Sequence, residues 1–171
     1  MRTFITSVLL AGLLASCIQN SSTKLAGEKT RKEVVSSVEG YLKNKLKDPH
    51  ISVDSDGMIS VSDVESGFGF NPSKIILGEI DENAGTDAIV PMYVFRGRSF
   101  MGFEHLILLH SGETFVVVKT MNNILNVIEI KDRKIIAEVS TVSPDSPGFG
   151  CDQCREVVQY RYRDGDLERV E

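Results

Sequence analysis

The sequence predicts an α+β fold in which one amphipathic N-terminal helix packs on a curled, mainly antiparallel meander sheet. Before residue 48, apolar residues recur at the three- and four-residue steps of a helix, whereas after residue 50 the apolar period is two. The later apolar runs are joined by short turns, and parallel strands would need crossovers of about a dozen residues or more. Short turns therefore favour antiparallel neighbours.

The predicted helix begins at the segment Thr30-Arg31-Lys32-Glu33, which has the spacing of a capping box. It is predicted to end at Asp48-Pro49, because proline does not continue a helix. One face carries an apolar stripe that we expect to pack on the sheet. The residues of the stripe and its margin are Val34, Val35, Val38, Tyr41, Leu42 and Leu46.

The strands are predicted from alternating apolar and polar positions between turn residues. The alternation is clearest over Arg155–Arg163, whereas the glycine- and aromatic-rich segment Gly67–Pro72 is predicted to be a loop. Pro91 interrupts its run and indicates an edge strand or a bulge. The predicted strands are 51–53, 58–64, 74–80, 88–95, 100–109, 114–119, 124–130, 134–142, 155–163 and 167–170.

Length and composition limit the possible classes of protein. The chain has 171 residues, a formal net charge of −5, 42% hydrophobic residues and 25% charged residues. One domain is expected at this length, and the composition excludes a wholly disordered chain. The acidic balance disfavours a nucleic-acid partner, which would require a basic face. The residues suggest no cofactor.

The N-terminus has the pattern of a secretory signal, with Arg2 before the short apolar segment Phe4–Leu14. The following Leu14-Ala15-Ser16-Cys17 resembles the lipobox of bacterial lipoproteins. The resemblance implies cleavage after residue 16 and a diacylglycerol on Cys17, often with a further acyl chain such as palmitate. An ordinary secretory signal with a chance cysteine, or an apolar first helix, is the alternative.

This resemblance also predicts the domain organisation and the location. Residues 1–16 would be a cleaved signal peptide, 17–29 the lipidated cysteine and a flexible tether, and 30–171 a single globular domain. The protein would be held in the cell envelope through its lipid, because two or three acyl chains retain a polar domain durably. Ile18, which is not aspartate, favours the outer membrane, on its periplasmic or surface face, over the inner membrane.

Two further patterns have plain structural interpretations. Cys151 and Cys154 follow the turn-rich segment 143–148, and in an exported protein they predict a structural disulfide. A redox pair or a shared metal is the alternative. Asp81, Asn83 and Asp87 resemble a shortened calcium loop, but calcium takes six to eight oxygen ligands, so an acidic turn is favoured.

The three histidines do not predict a metal site. His105 and His110 are five residues apart in one predicted strand, which places them on opposite faces about 16 Å apart. A structural or surface role is therefore predicted for them and for His50.

One surface is a candidate for partner binding. The segment 93–103 places a basic tip between aromatic residues. The plain interpretation is a hairpin whose aromatic residues are core and whose arginines are solvated; the other is a partner-binding tip, because Arg, Tyr and Phe are common anchors of interfaces. We expect an envelope protein, a glycan or a toxin as the partner of a non-catalytic, lipid-anchored protein. The alternatives are an envelope enzyme of unrecognised type or a thiol oxidoreductase that uses the cysteine pair. The predicted contact residues are Tyr93, Phe95, Arg96, Arg98 and Phe100.

Overall fold

The structure, a computed structural model, describes residues 6–122, 124–143, 146–149 and 151–170, with side chains from residue 26 onward. One helix, α1 (Thr6–Lys45), precedes all of the strands. The strands are β1 (His50–Val53), β2 (Ile59–Ser62), β3 (Ser66–Phe70), β4 (Ile76–Gly78), β5 (Asp87–Arg96), β6 (Ser99–Ser111), β7 (Thr114–Met121), β8 (Ile124–Lys131), β9 (Lys134–Ser140), β10 (Arg155–Arg163) and β11 (Asp166–Val170).

The α+β class, with one helix packed on antiparallel strands, is confirmed. Every strand pair in the described residues is antiparallel. The strands divide between two sheets, where the sequence indicated one. The larger sheet has the order β1-β2-β3-β5-β6-β7, with β4 also pairing with β5, and the smaller sheet has the order β11-β10-β9-β8.

The first core lies between α1 and one face of the larger sheet. Val34, Val38 and Leu42 of the predicted stripe are fully buried there, against residues such as Val90 and Leu106. Arg31 fixes the helix further, because its guanidinium donates to the backbone carbonyls of Pro72 and Ile75. The amphipathic stripe therefore performs the packing role predicted for it.

The ends of the helix differ from the prediction. The helix ends at Lys45 rather than at Asp48-Pro49, and it continues N-terminally through Thr30. The Thr30 hydroxyl donates to the carbonyl of Ala26, one turn earlier, so Thr30 is an interior residue and not a cap. Residues 17–29, predicted as a tether, lie within this helix. In the part of the chain with described side chains, no helix is long and apolar enough to span a membrane.

The second core lies between the other face of the larger sheet and the smaller sheet. Ile89 of β5 and Ile107 of β6 are fully buried against Ile135 and Ala137 of β9. At one end the two sheets approach closely, since a Cβ atom on Gly78 would lie 2.7 Å from Cβ of Ile130. The molecule therefore has three layers: helix, larger sheet and smaller sheet.

The prediction of a loop over Gly67–Pro72 is wrong for most of that segment, because residues 66–70 form β3. Phe68 and Phe70 face the first core, while Gly67 and Gly69 pair with Phe95 and Tyr93 of β5. Alternating glycine with phenylalanine is a period-two pattern, but glycine's low strand propensity obscures it. The glycines also leave space for the aromatic side chains of the neighbouring strand.

Pro91 lies inside the larger sheet at a local gap in strand pairing. On one side it pairs with His105 of β6. On the other side β4 pairs with residues 87–89 of β5, and β3 pairs with residues 93–96. Proline has no N–H to donate to a ladder, so a gap between two partner strands tolerates it. β5 is therefore a central strand, and the predicted edge strand or bulge at Pro91 is wrong.

Candidate functional site

Four aromatic side chains from β5 and β6 form a cluster on the face of the larger sheet that also carries Ile89 and Ile107. Tyr93 pairs with Phe103, and Phe95 pairs with Phe100. The ring centroids are 5.3 Å apart for Tyr93–Phe103, 5.8 Å for Phe95–Phe100 and 5.1 Å for Phe100–Phe103. These are ordinary distances for aromatic contacts. We call these four residues the aromatic surface.

The aromatic surface is open to solvent. Tyr93 is 41% exposed, Phe100 51% and Phe103 46%, whereas Ile89 and Ile107 further along the same strands are fully buried. The smaller sheet therefore covers the half of this face that carries Ile89 and Ile107, and it leaves the half that carries the aromatic rings uncovered. Isolated exposed apolar residues are common, whereas a contiguous group of packed rings at the surface makes this region a candidate interaction site.

Two arginines lie at the tip of the hairpin that carries the aromatic surface. Arg96 and Ser99 close a two-residue turn of Gly97 and Arg98, and Gly97 has the positive φ of 56° that favours glycine there. Both arginines are exposed. The structure thus brings together Tyr93, Phe95 and Phe100. Arg96 follows Phe95 in β5 and so faces the opposite side of the sheet, while Arg98 lies in the turn. Their contact with a partner stays a prediction.

Phe103 belongs to the aromatic surface although it was not among the predicted contact residues. In a regular strand, residues 100 and 103 would face opposite sides. The β5–β6 register shifts at Phe95, so that Met101 is an extra residue between Phe100 and Gly102. Gly102 has a φ of 147° at this bulge. The bulge turns Phe100 and Phe103 to the same face, and only the nearby glycine gives a sequence signal for it.

A groove of about 620 Å³ adjoins the aromatic surface. Tyr93, Phe103 and His105 line it from the larger sheet, Leu125 and Asn126 from β8, and polar residues of the β1–β2 turn and the turn after β3 form its rim. A smaller groove of about 420 Å³ lies beside it and shares Phe103 and Leu125 with it. Together the two grooves form an open track past the rings of the aromatic surface.

His105 lies at the floor of the larger groove. Its side chain is only 2% exposed, and its Nδ1 has no hydrogen-bond partner among the described residues. Burial lowers the pKa of His105 from 6.5 to about 4, so the imidazole is neutral at physiological pH. His110 lies on the opposite face of β6, where the centroid of its ring is 5.2 Å from that of Phe115.

The acidic segment that resembles a calcium loop is organised as a turn by hydrogen bonds to backbone. Asp81 accepts from the backbone N–H of Asn83 at 2.9 Å and from its side-chain amide at 2.7 Å. Asp87 is buried and accepts backbone hydrogen bonds from Ile80, Asp81 and His110. Among the described residues, no group of three or more His, Cys, Asp or Glu could hold a metal ion. An acidic turn accounts for this segment.

Cys151 and Cys154 are joined by a disulfide, with their Cα atoms 5.0 Å apart. The bond closes a short loop directly before β10, and Cys151 is exposed while Cys154 is half-buried. Because the closed loop is short, the bond is expected to add only about 2 kcal/mol to the free energy of unfolding. In the turn-rich segment 143–148, Pro144 and Asp145 lie outside the described residues.

Comparison with known proteins identifies no relative. No protein-family model matches the sequence, and neither a curated protein nor a solved structure matches the chain.

Proposed function

We propose that this chain is a lipid-anchored cell-envelope protein that binds a partner through the aromatic surface, without catalysis. The observation that carries the binding role is the packed and exposed group of rings of Tyr93, Phe100 and Phe103. Phe95 completes the group, and Arg96 and Arg98 lie at the tip of the same hairpin. Rigid aromatic side chains supply contact area at low cost in conformational entropy, as binding surfaces require.

The location is supported by the sequence of the N-terminus. The apolar segment 4–14 ends at Leu14-Ala15-Ser16-Cys17, which resembles a lipobox, and Cys17 would carry the lipid. Its side chain lies outside those that the structure describes. A chain with a net charge of −5 has little affinity of its own for a bilayer, so acyl chains would retain it. We place it at the outer membrane.

Removing the lipid-accepting thiol tests the anchor. We expect Cys17→Ser to block lipidation and cleavage at this site, so that the chain keeps residues 1–16 and gains no acyl mass. Intact-mass spectrometry of the purified protein measures both changes. Ser16→Ala, at the neighbouring small position, is the matched control and should still be cleaved and acylated. An unmodified, uncleaved Cys17 in the wild-type protein would contradict the anchor.

Removing the basic tip tests the binding role. We expect Arg96→Ala combined with Arg98→Ala to change the free energy of unfolding by no more than about 0.5 kcal/mol, because both side chains are exposed. Recovery of the partner from crosslinked envelopes should fall. Arg161→Ala combined with Arg163→Ala, on β10, removes the same charge elsewhere and should leave recovery unchanged. If both double variants recover the partner equally well, Arg96 and Arg98 form a solvated tip and do not contact the partner.

A further inference from the structure

His105 is an unexplained feature of this fold. A buried polar atom without a hydrogen-bond partner costs about 1–3 kcal/mol, and native proteins contain few of them. Nδ1 of His105 is such an atom among the described residues. The ring also lines the floor of the larger groove. Nδ1 has almost no exposed surface, so the imidazole forms part of the floor on which a ligand would lie and not a hydrogen-bonding group inside the groove.

The walls of the groove have two kinds of chemistry. On one side, Tyr93 and Phe103 present exposed aromatic rings. On the rim, Asn71 and Ser73 present amide and hydroxyl groups. The charged groups of the rim have both signs, because Lys74 lies there as well as Asp54 and Asp56. The groove therefore does not select a strongly charged ligand of either sign, and it is too polar for a purely apolar one.

A sugar ring matches this combination. One face of a pyranose carries C–H groups, whose partial positive charge is attracted to the electron-rich face of an aromatic ring. Its edge carries hydroxyls, which both donate and accept hydrogen bonds. Amides and hydroxyls pair with such groups. Burial keeps the imidazole of the floor neutral, so it places no charge beneath the sugar.

The size and openness of the site indicate a chain of sugars. The groove of about 620 Å³ and its neighbour of about 420 Å³ meet at Phe103 and Leu125. Phe100 and Phe149 line the second groove. An extended ligand could thus lie in the first groove, cross the ring of Phe103 and continue along the second. A single small molecule would use only one of them.

We propose that the groove above His105 binds a neutral oligosaccharide chain, with Tyr93 and Phe103 stacking on its sugar rings. This inference rests on the proposed function, because Tyr93 and Phe103 belong to the aromatic surface. It adds the chemical class of the ligand and a second part of the site, the groove whose floor includes His105.

The test is calorimetric titration of the full-length chain in detergent solution with neutral tetrasaccharides of glucose, N-acetylglucosamine and mannose. At least one tetrasaccharide is expected to bind, and Tyr93→Ala or Phe103→Ala should weaken that binding about tenfold or more. Val157→Ala is the matched control, because Val157 is 61% exposed on the outer face of β10, away from the groove.

Two results would overturn the proposal. One is that none of these tetrasaccharides binds the unmodified chain at millimolar concentration. The other is that Tyr93→Ala and Phe103→Ala, which change exposed residues, bind as well as the Val157→Ala control. Crosslinking from a photoreactive phenylalanine analogue at position 100 separates this proposal from the proposed function. If either result occurs while crosslinks from position 100 to a protein persist, the saccharide proposal fails and the binding role stands. If saccharide binding and these crosslinks are both absent, the saccharide proposal and the proposed binding role both fail.

Discussion

Replacing Asp87 with alanine is expected to lower the free energy of unfolding by about 3 kcal/mol or more, because three backbone donors lose a charged acceptor. Asp87 Oδ2 accepts from the N–H groups of Ile80 and Asp81 at 2.7 and 3.3 Å. Oδ1 accepts from the N–H of His110 at 2.9 Å. One buried carboxylate thus joins the turn after β4 to β6. Urea denaturation of the wild type and the variant measures the difference.

Two related variants make this experiment specific. Asp87→Asn keeps the size of the side chain and one carbonyl oxygen, so its loss of stability should be intermediate. Asp81→Ala removes a carboxylate whose hydrogen bonds lie within the exposed turn, and it should cost about 1 kcal/mol or less. If Asp87→Ala were no more destabilising than Asp81→Ala, the structural role that we assign to Asp87 would be wrong.

Replacing His105 with leucine is expected to remove a loss of stability that the wild type shows on acidification. Burial lowers the pKa of folded His105 from 6.5 to about 4. Between these values the unfolded chain binds a proton that the folded chain does not, so stability falls as the pH drops from about 6.5 to 4. The difference in pKa corresponds to about 3 kcal/mol over that window.

Two carboxylates with lowered pKa change the stability only at more acidic pH, so their effect is separate from that of His105. Backbone hydrogen bonds, first from Ser66, lower the pKa of Asp63 from 3.8, and a hydrogen bond from Lys119 lowers that of Asp166. Their stabilisation is lost below about pH 4. At pH 7, His105→Leu should keep or raise the stability, since it removes an unpartnered buried atom. His50→Leu is the control. If His105→Leu lost as much stability as the wild type between about pH 6.5 and 4, the lowered pKa of His105 would be contradicted.

Much of the fold could be predicted from local pattern. The stripe with Val38 and Leu42 packs as expected, and ten of the strands lie where the apolar alternation placed them. The strand that was missed, β3, has glycine at the positions that face the rings of β5. The beginning of the helix was also misplaced. A capping-box spacing at Thr30 cannot be distinguished from an interior turn when the preceding residues, such as Ala26 and Glu28, also favour a helix.

The candidate site was predictable only where it is contiguous in sequence. Tyr93, Phe95 and Phe100 lie in one hairpin, and their cross-strand contacts follow from the strand period. The groove could not be inferred, because its walls come from the turn after β3, from β5 and β6, and from β8. Nor could the burial of His105, since it depends on how the smaller sheet covers the larger one. Those features arise from tertiary packing and from the bulge at Met101.

Site-specific photocrosslinking in living cells tests the central claim, binding through the aromatic surface, most directly. A photoreactive phenylalanine analogue is placed at Phe100, which is 51% exposed, and at the control position Val116, which is 48% exposed on β7. The account predicts a discrete crosslinked species from position 100 that is lost when Tyr93 and Phe103 are changed to alanine, with none from position 116. Equal crosslinking from both positions, or a product at position 100 that survives those changes, would contradict it.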